Sequence, residues 1–233
     1  MRLITFENVS MSYEGNKVLS NLSFDIEKGD YLCIVGENGS GKTTLLKGLL
    51  GLKKIDSGKI IYHMPNGKKQ IGYLPQQTHI QKDFPASVKE VVMSGNISDT
   101  SFIFFYKRSH KKKALEVLEK LEISDLLKKG FHTLSGGQKQ KVMLARAICA
   151  SKDILILDEP ASSLDITSQK DLYDTIKKLN DEGMTIVMIS HDIKNVAKYS
   201  KHIIHIKDSS SLFYGTSDDY TKKINDELLW ENI

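Results

Sequence analysis

The sequence lacks any apolar run that approaches the ~18 residues a helix needs to cross a bilayer. Internal repeats and low-complexity tracts are absent as well, so a repeat protein and a disordered chain are both excluded. Cysteine is scarce: Cys33 and Cys149 each lie in an apolar stretch without a neighbouring thiol. This usage favours buried, reduced side chains in a cytosolic protein over a disulfide framework.

A large excess of charge of one sign is also missing. The 33 basic and 29 acidic residues give a formal net charge of +4, which does not indicate a nucleic-acid footprint. The first seven residues alternate like a strand and carry an early acid, unlike a signal peptide. A chain of 233 residues with 40% hydrophobic content can bury a full core as one domain, with or without an inserted subdomain.

The hydrophobic pattern changes its period along the chain. The N-terminal part alternates like antiparallel strands, with a turn near residues 14–16. From about residue 85 to 130 the apolar residues recur at helical spacing, with Leu115, Leu118 and Leu121 marking one helix, and a further helix follows Ser135. Continuous apolar runs indicate parallel strands buried on both faces, at residues 31–35, 154–157 and 185–189. These patterns predict an α/β fold with a helical insert.

A glycine-rich loop follows the first of these buried strands. Residues 36–43 read Gly-Glu-Asn-Gly-Ser-Gly-Lys-Thr and fit the pattern G-x-x-x-x-G-K-[ST]. In this pattern backbone N–H groups face phosphate oxygens, Lys42 reaches the β- and γ-phosphates, and the Thr43 hydroxyl binds Mg²⁺. An unrelated glycine turn is the alternative, but the strand before and the helix after favour a nucleotide site at a helix N-terminus.

Two adjacent acids end the second buried strand. Asp158 has the setting of the acid that holds Mg²⁺ through water in such folds. Because side chains alternate along a strand, Glu159 points differently and is a candidate general base for an attacking water. A surface acid pair or an N-cap is the alternative reading.

Residues 134–138 read Leu-Ser-Gly-Gly-Gln and precede a helix. Serine is a good N-cap, and two glycines let a ligand approach the backbone closely. A simple capped helix start remains open on local grounds. The alternative is a second phosphate-binding helix N-terminus. Because one chain already has the glycine-rich loop for its own nucleotide, this helix start would contact a nucleotide held by a second chain.

With these motifs in this order, the chain resembles an ATP-binding cassette (ABC) ATPase over nearly its whole length, and residues 134–138 match the family's signature motif. The resemblance implies that Tyr13 stacks on adenine and that Gln76 touches metal and water and senses the transport partner. It also implies that Asp165 lies in a loop crossing a dimer interface and that His191 contacts the γ-phosphate.

The implied fold is a single P-loop NTPase domain over residues 1–233. It has a parallel sheet, an N-terminal antiparallel β-subdomain and a helical subdomain inserted at about residues 78–133. The implied catalytic residues are Glu159, His191, Gln76 and Lys42, and the implied Mg²⁺ ligands are Thr43, Gln76 and Asp158. The residues expected to bind ATP are Tyr13, Gly36, Glu37, Asn38, Gly39, Ser40, Gly41, Lys42, Thr43, Thr44, Ser135, Gly136, Gly137, Gln138 and Asp165.

The family resemblance implies the ATP-hydrolysing subunit of a membrane transporter. Two copies would stack head to tail around ATP, on the cytoplasmic face of the membrane, bound to a separate permease that receives solute from an extracytoplasmic binding protein. Residues 70–77 and 84–92 are similar to importer ATPases for zinc and manganese. The alternatives are an importer for another solute, a soluble cassette of translation or DNA maintenance, and a simple phosphoryl-transfer enzyme.

Three further features have less specific readings. The pair His202 and His205 lies in a β-branched run that predicts a strand, where their spacing puts them on opposite faces and disfavours a metal site. The basic run at residues 107–113 favours a solvated face, with anionic headgroups as an alternative. The aromatic cluster at residues 102–106 is expected to serve partly as core and partly as a permease contact.

Overall fold

The computed structural model describes residues 1–64, 71–76, 85–99, 106–207 and 210–230. The chain divides into two units, the first comprising residues 1–69 and 180–233 and the second residues 70–179. The predicted insert at 78–133 falls within the second unit. The elements are β1 (Arg2–Tyr13), β2 (Asn16–Glu27), β3 (Tyr31–Val35), α1 (Lys42–Leu49), β4 (Ser57–Tyr62), β5 (Ile71–Leu74), α2 (Val88–Met93), α3 (Arg108–Lys120), α4 (Gly136–Ala150), β6 (Ile154–Asp158), α5 (Ile166–Asp181), β7 (Thr185–Ile189), α6 (Ile193–Tyr199), β8 (His202–Lys207), β9 (Ser210–Thr216) and α7 (Ser217–Trp230).

An antiparallel sheet in the order β2-β1-β4 begins the first unit. Strands β1 and β2 are joined by Glu14 and Gly15, whose φ angles of 49° and 81° suit a two-residue turn that matches the twist of a hairpin. The rings of Phe6 and Phe24 stack across this hairpin with centroids 4.3 Å apart. The predicted antiparallel part is confirmed, and its first two strands are longer than the alternation alone suggested.

The first unit also contains parallel strands. Strand β3 pairs in parallel with β7 on one side and β8 on the other, and β9 joins β8 antiparallel. Every residue of β3 and β7 is buried, as expected for strands covered on both faces. The strand predicted around His202 and His205 is confirmed as β8, where His202 lies 2.8 Å from Asp30 and His205 hydrogen-bonds Tyr220.

In the second unit β5 pairs in parallel with β6, and helices follow β5 along the chain. The predicted helix around residues 115–121 is confirmed as α3, with Leu118 and Leu121 buried, but Leu115 does not lie on the buried face. Leu115 is 51% exposed, whereas Val117 and Leu118 are buried. The buried stripe of α3 runs through His110 and Ala114 instead, so a 3.6-residue period starting at His110 leaves Leu115 outside.

Helix α4 lies directly against β5 and α3. A β-carbon on Gly72 of β5 would clash with the carbonyl oxygen of Ala147. Lys113 of the basic run donates hydrogen bonds of 2.9 and 3.0 Å to the carbonyl oxygens of Cys149 and Ser151, at the end of α4. This lysine is therefore a helix-end partner rather than part of a solvated face.

Some sequence features lie outside the described residues. These are residues 102–105 of the aromatic cluster, and residues 70, 77 and 84 of the stretches that resemble metal importers. Within the described ranges, no helix is both long enough and apolar enough to cross a membrane.

Candidate nucleotide site

The glycine-rich loop connects β3 to α1 within the first unit. Gly41 is the N-cap of α1 with a φ of 105°, and Gly36 begins the loop with a φ of 149°. A β-carbon on Gly36 would clash with the carbonyl of Ile206 and lie 2.7 Å from Ser40 Oγ. Residues 37–39 at the tip of the loop are exposed. Only glycine suits positions 36 and 41, so the loop conformation depends directly on the motif.

Two polar side chains of this loop are arranged to receive an anion. The ammonium of Lys42 donates hydrogen bonds of 2.9 and 2.8 Å to the carbonyls of Gly36 and Glu37. Ser40 Oγ is buried and has no hydrogen-bond partner among the described residues. An unpaired buried hydroxyl costs about 1–3 kcal/mol, and a phosphate oxygen would accept its hydrogen bond. The loop therefore fits the phosphates of ATP.

Four other predicted residues lie in the same unit. Thr43 is exposed and Thr44 is buried in the first turn of α1. Tyr13 is 49% exposed at the end of β1, with the Lys53 ammonium 5.2 Å from its ring centroid. His191 is exposed after β7. An exposed aromatic ring can stack on adenine, and these roles stay predictions.

The two adjacent acids belong to the second unit. Strand β6 is buried throughout and ends at Asp158, which is 7% exposed. Glu159 has a φ of 47°, a left-handed conformation that costs a non-glycine residue about 1–3 kcal/mol. The acids were predicted to diverge through strand alternation. The chain instead leaves the strand at Glu159, so strand alternation does not set the direction of that side chain.

Each acid has its own partner from β5 or the residues just after it. The hydroxyl of Tyr73 donates to Asp158 Oδ2 at 3.3 Å, and the amide nitrogen of Gln76 donates to Glu159 Oε2 at 2.7 Å. Burial, and after it the Asp158 carboxylate, raises the pKa of Tyr73 to about 12. The phenol therefore remains a hydrogen-bond donor through the neutral range. Gln76 was predicted to touch metal and water, and in this structure it holds the predicted base.

The signature residues begin α4. Ser135 caps the helix: its hydroxyl accepts from the Gln138 backbone at 3.3 Å, and the Gln138 side chain accepts from the Ser135 backbone at 3.2 Å. The capped helix start is thus real. It does not account for the glycines, because neither Gly136 nor Gly137 has a positive φ. A β-carbon on Gly136 would meet only Leu164, at 3.9 Å. The chain itself does not require glycine at position 136.

Asp165 is also a helix cap. Its carboxylate accepts hydrogen bonds from the backbone and hydroxyl of Ser168 at 3.0 and 2.7 Å, and these bonds lower its pKa. The next residue, Ile166, is 86% exposed. Its exposure was missed in the sequence, although the buried stripe of α5, at Leu172 and Ile176, leaves residue 166 off that face.

A buried glutamine joins α4 to the turn that follows the acids. Gln140 is 2% exposed, and its amide nitrogen donates a hydrogen bond of 2.6 Å to the carbonyl of Pro160, next to Glu159. The signature helix and the acidic turn are therefore tied by a side chain that sequence reasoning did not select. A polar residue in an otherwise apolar helical stripe was the available signal.

Mg²⁺ fits this donor set only together with a nucleotide. Among the described residues, no group of three or more histidine, cysteine, aspartate or glutamate side chains is arranged to hold a metal ion. Mg²⁺ typically binds through one or two carboxylates plus water and substrate phosphates. The single carboxylate of Asp158, in the second unit, suits that mode.

Comparison with known proteins identifies the family of the chain. Residues 19–162 match the model of the ABC transporter family. Over 98% of its length the chain is 35% identical to the zinc uptake system ATP-binding protein ZurA of Listeria innocua, and it covers 91% of that protein. It is 31% identical to the manganese transport system ATP-binding protein MntB of Halalkalibacterium halodurans, covering 95% of this chain and 90% of MntB.

A solved structure is similar over both units. The dimeric structure of MJ0796, a bacterial ABC transporter cassette, matches with a TM-score of 0.75 and 28% identity. The match covers 92% of this chain and 99% of that one. The family match at residues 19–162 includes the glycine-rich loop, the signature residues and the acidic turn.

Proposed function

The chain belongs to the ABC transporter family and is an ATPase, and on this premise we propose that it drives import of a divalent metal ion, zinc or manganese. The two curated relatives described above are named for zinc uptake and manganese transport, and their similarity extends over nearly all of this chain. A separate permease carries the ion, which arrives from an extracytoplasmic solute-binding protein. The ATPase lies on the cytoplasmic face of the membrane through that permease.

The chemistry follows from the arrangement of each unit. Bound ATP would supply the γ-phosphoryl group, and Mg²⁺ would supply positive charge that stabilises its transfer. Lys42 would exchange its carbonyl partners for phosphate oxygens, and Thr43 and Asp158 are the residues that would hold the metal. Glu159 accepts a proton from water as the water oxygen bonds to the γ-phosphorus, the bond from that phosphorus to the β–γ bridging oxygen breaks, and ADP leaves. His191 donates a hydrogen bond to the γ-phosphate.

The hydrogen bond between Gln76 and Glu159 is the observation that supports coupling of ATP hydrolysis to transport, whereas the two relatives support the metal substrate. Gln76 lies between β5 and the helical part of the second unit, which the family resemblance assigns to permease contact. A side chain at that junction holds the predicted general base directly. A movement of the helical part can therefore shift the Glu159 carboxylate through Gln76 alone. A transport-coupled ATPase requires such a link between its permease contact and its catalytic base.

A second copy of the chain completes each nucleotide site in this proposal. The exposed helix start at Ser135 offers backbone N–H groups, and Gly136 leaves room for an approaching phosphate. Ile166, beside Asp165, is a large exposed apolar residue of the kind that dimer interfaces cover. ATP held in the loop of one copy would contact Ser135–Gln138 of the other.

The second unit has a groove that we propose as the docking surface for the permease. A groove of about 430 Å³ lies between the residues before α2, helix α2 itself and α4. Glu90 and Arg146 give it one charge of each sign, and Ser87 and Ser94 hold these two side chains in place. The apolar lining is formed by Ala86, Val91, Phe131 and Met143. An amphipathic helix of the permease fits such a groove.

Reconstitution tests the substrate. The ATPase, its permease and its binding protein are assembled in vesicles, and ATP turnover is measured with zinc, manganese or an unrelated solute. The proposal predicts stimulation by zinc or manganese. A response to another solute, with none to either metal, would contradict the assignment of zinc or manganese as the substrate. It would not contradict the assignment of the chain as an ATPase.

A substitution that fills the groove tests the permease contact. Ala86→Trp should abolish stimulation by the permease, because the added ring occupies the groove, while ATP binding by the free protein is retained. Leu115→Trp is the matched control, since Leu115 is exposed on α3 and does not line the groove. Equal stimulation of both variants would contradict the proposed contact.

A further inference from the structure

The hydroxyl of Tyr73 contacts the carboxylate of Asp158. Its O–H lies 3.3 Å from Asp158 Oδ2, and the ring is half-buried. Asp158 itself is 7% exposed. A buried carboxylate needs hydrogen-bond partners, and the phenol supplies one of them to Asp158.

The strand register explains how Tyr73 reaches Asp158. In the parallel pair of β5 and β6, Tyr73 is opposite Ile156. Side chains alternate along a strand, so Asp158 lies on the same face as Ile156, one diagonal position beyond Tyr73. A tyrosine side chain is long enough for that diagonal, and a phenylalanine would cover the same surface without the donor.

The backbone of β5 is closely packed at the two residues that flank Tyr73. Gly72 leaves no room for a β-carbon against the carbonyl of Ala147 in α4, and Leu74 is fully buried opposite Leu157. The position of the Tyr73 hydroxyl is therefore determined by strand packing and two side-chain torsions. A terminal carboxylate torsion is broad by itself, so a fixed donor narrows the orientations open to Asp158.

From this geometry we propose that Tyr73 is a positioning residue that orients Asp158 toward Mg²⁺. The inference rests on the proposed role of Asp158 as the acid that serves the metal. Tyr73 does not touch nucleotide or metal in this role: it acts through the carboxylate alone. Residues that hold metal-binding groups typically change metal affinity about 10–100-fold when lost.

Metal binding without turnover is the direct readout. The Glu159→Gln protein is loaded with one equivalent of ATP, and Mn²⁺ is titrated as a substitute for Mg²⁺ while electron paramagnetic resonance measures free Mn²⁺. Adding Tyr73→Phe should weaken Mn²⁺ binding about 10-fold. Nucleotide affinity in EDTA and the melting temperature should remain unchanged. Tyr214→Phe is the matched control, because its hydroxyl bonds the backbone carbonyl of Asp25 in the other unit.

Asp158→Asn separates this inference from the proposed function. If Asp158→Asn and Tyr73→Phe each weaken Mn²⁺ binding alone, and Tyr73→Phe adds nothing in the Asp158→Asn background, both assignments hold, because the two changes act on one contact. If Asp158→Asn weakens binding and Tyr73→Phe alone leaves it at the wild-type value, the positioning role is overturned. An Asp158→Asn protein that binds Mn²⁺ normally overturns the metal assignment itself. Loss of folding in Tyr73→Phe would make the hydroxyl structural and would also overturn the inference.

Discussion

The side-chain amide of Gln76 donates a 2.7 Å hydrogen bond to the carboxylate of Glu159. These residues lie just beyond neighbouring parallel strands, β5 and β6. The bond is charge-assisted, because its acceptor is a carboxylate, and such bonds are the stronger ones in proteins. The bond holds the predicted general base, Glu159, through a residue that lies between β5 and the helical part of the second unit.

Glu159→Gln should lower ATP turnover about 10²–10⁴-fold, the range for loss of a general base, while ATP binding is retained. Gln76→Ala should lower turnover less, since the base remains and only its support is lost. Steady-state ATPase assays and equilibrium ATP binding measure both. In the Glu159→Gln background, Gln76→Ala should have almost no further effect on turnover. Additive losses would show that the two residues do not act through their contact.

Ser135 has two roles that one substitution separates. Aspartate is as good an N-cap as serine, so Ser135→Asp should keep α4 and the melting temperature. It places a negative charge where the proposal puts the γ-phosphate of a second copy, and it should abolish ATP-driven dimers and turnover. Light scattering with ATP and ATPase assays measure this. Ser87→Ala, which removes the equivalent cap of α2, is the control and should keep turnover. Full activity of Ser135→Asp would leave capping as the only role of the serine.

Lys113 should contribute to stability through the end of α4. Lys113→Met leaves the carbonyls of Cys149 and Ser151 without this donor, and we expect a loss of about 1–3 kcal/mol in the free energy of unfolding. Lys112→Met is the control: its ammonium is exposed and pairs with Glu116 at 3.6 Å, a contact worth about 0.5 kcal/mol or less. Urea denaturation measures both. Equal effects would remove Lys113 from the helix end.

Both cysteines should resist thiol reagents in the native protein. Burial raises the pKa of Cys149 to about 11 and raises that of Cys33 further above its usual range. A raised pKa favours the thiol below that pH, so at pH 8 on the order of one Cys149 in 1,000 is a reactive thiolate. Iodoacetamide labelling followed by mass spectrometry should show no modification at pH 8. Both sites should label in denaturant, and rapid native labelling would contradict the buried assignment.

The local parts of the fold were predictable from the sequence because their signals are local. Continuous apolar runs specify β3, β6 and β7, since each strand is covered on both faces. The glycine-rich motif specifies a backbone that only glycine permits at Gly36 and Gly41.

The partners of the acids depend on longer-range information. Tyr73 contacts Asp158 only because β5 is the neighbour of β6 in one register, and alternation along a single strand carries no such register. The left-handed backbone of Glu159 was not predictable either, because glutamate rarely adopts it and surrounding structure must impose it. Leu115 was wrongly predicted to be buried for a simpler reason. The apolar residues of α3 fit helical spacing from more than one starting residue, and only the stripe that starts at His110 is buried.

The shared nucleotide site is the central claim, and the concentration dependence of ATPase activity tests it most directly. Specific activity is measured from dilute to concentrated protein while light scattering reports the mass of the particle in the same samples. If Ser135–Gln138 of one copy completes the site of another, dilute monomer should bind ATP with little turnover. Specific activity should then rise with the fraction of dimer. A demonstrably monomeric sample that hydrolyses ATP at the full rate would contradict the claim.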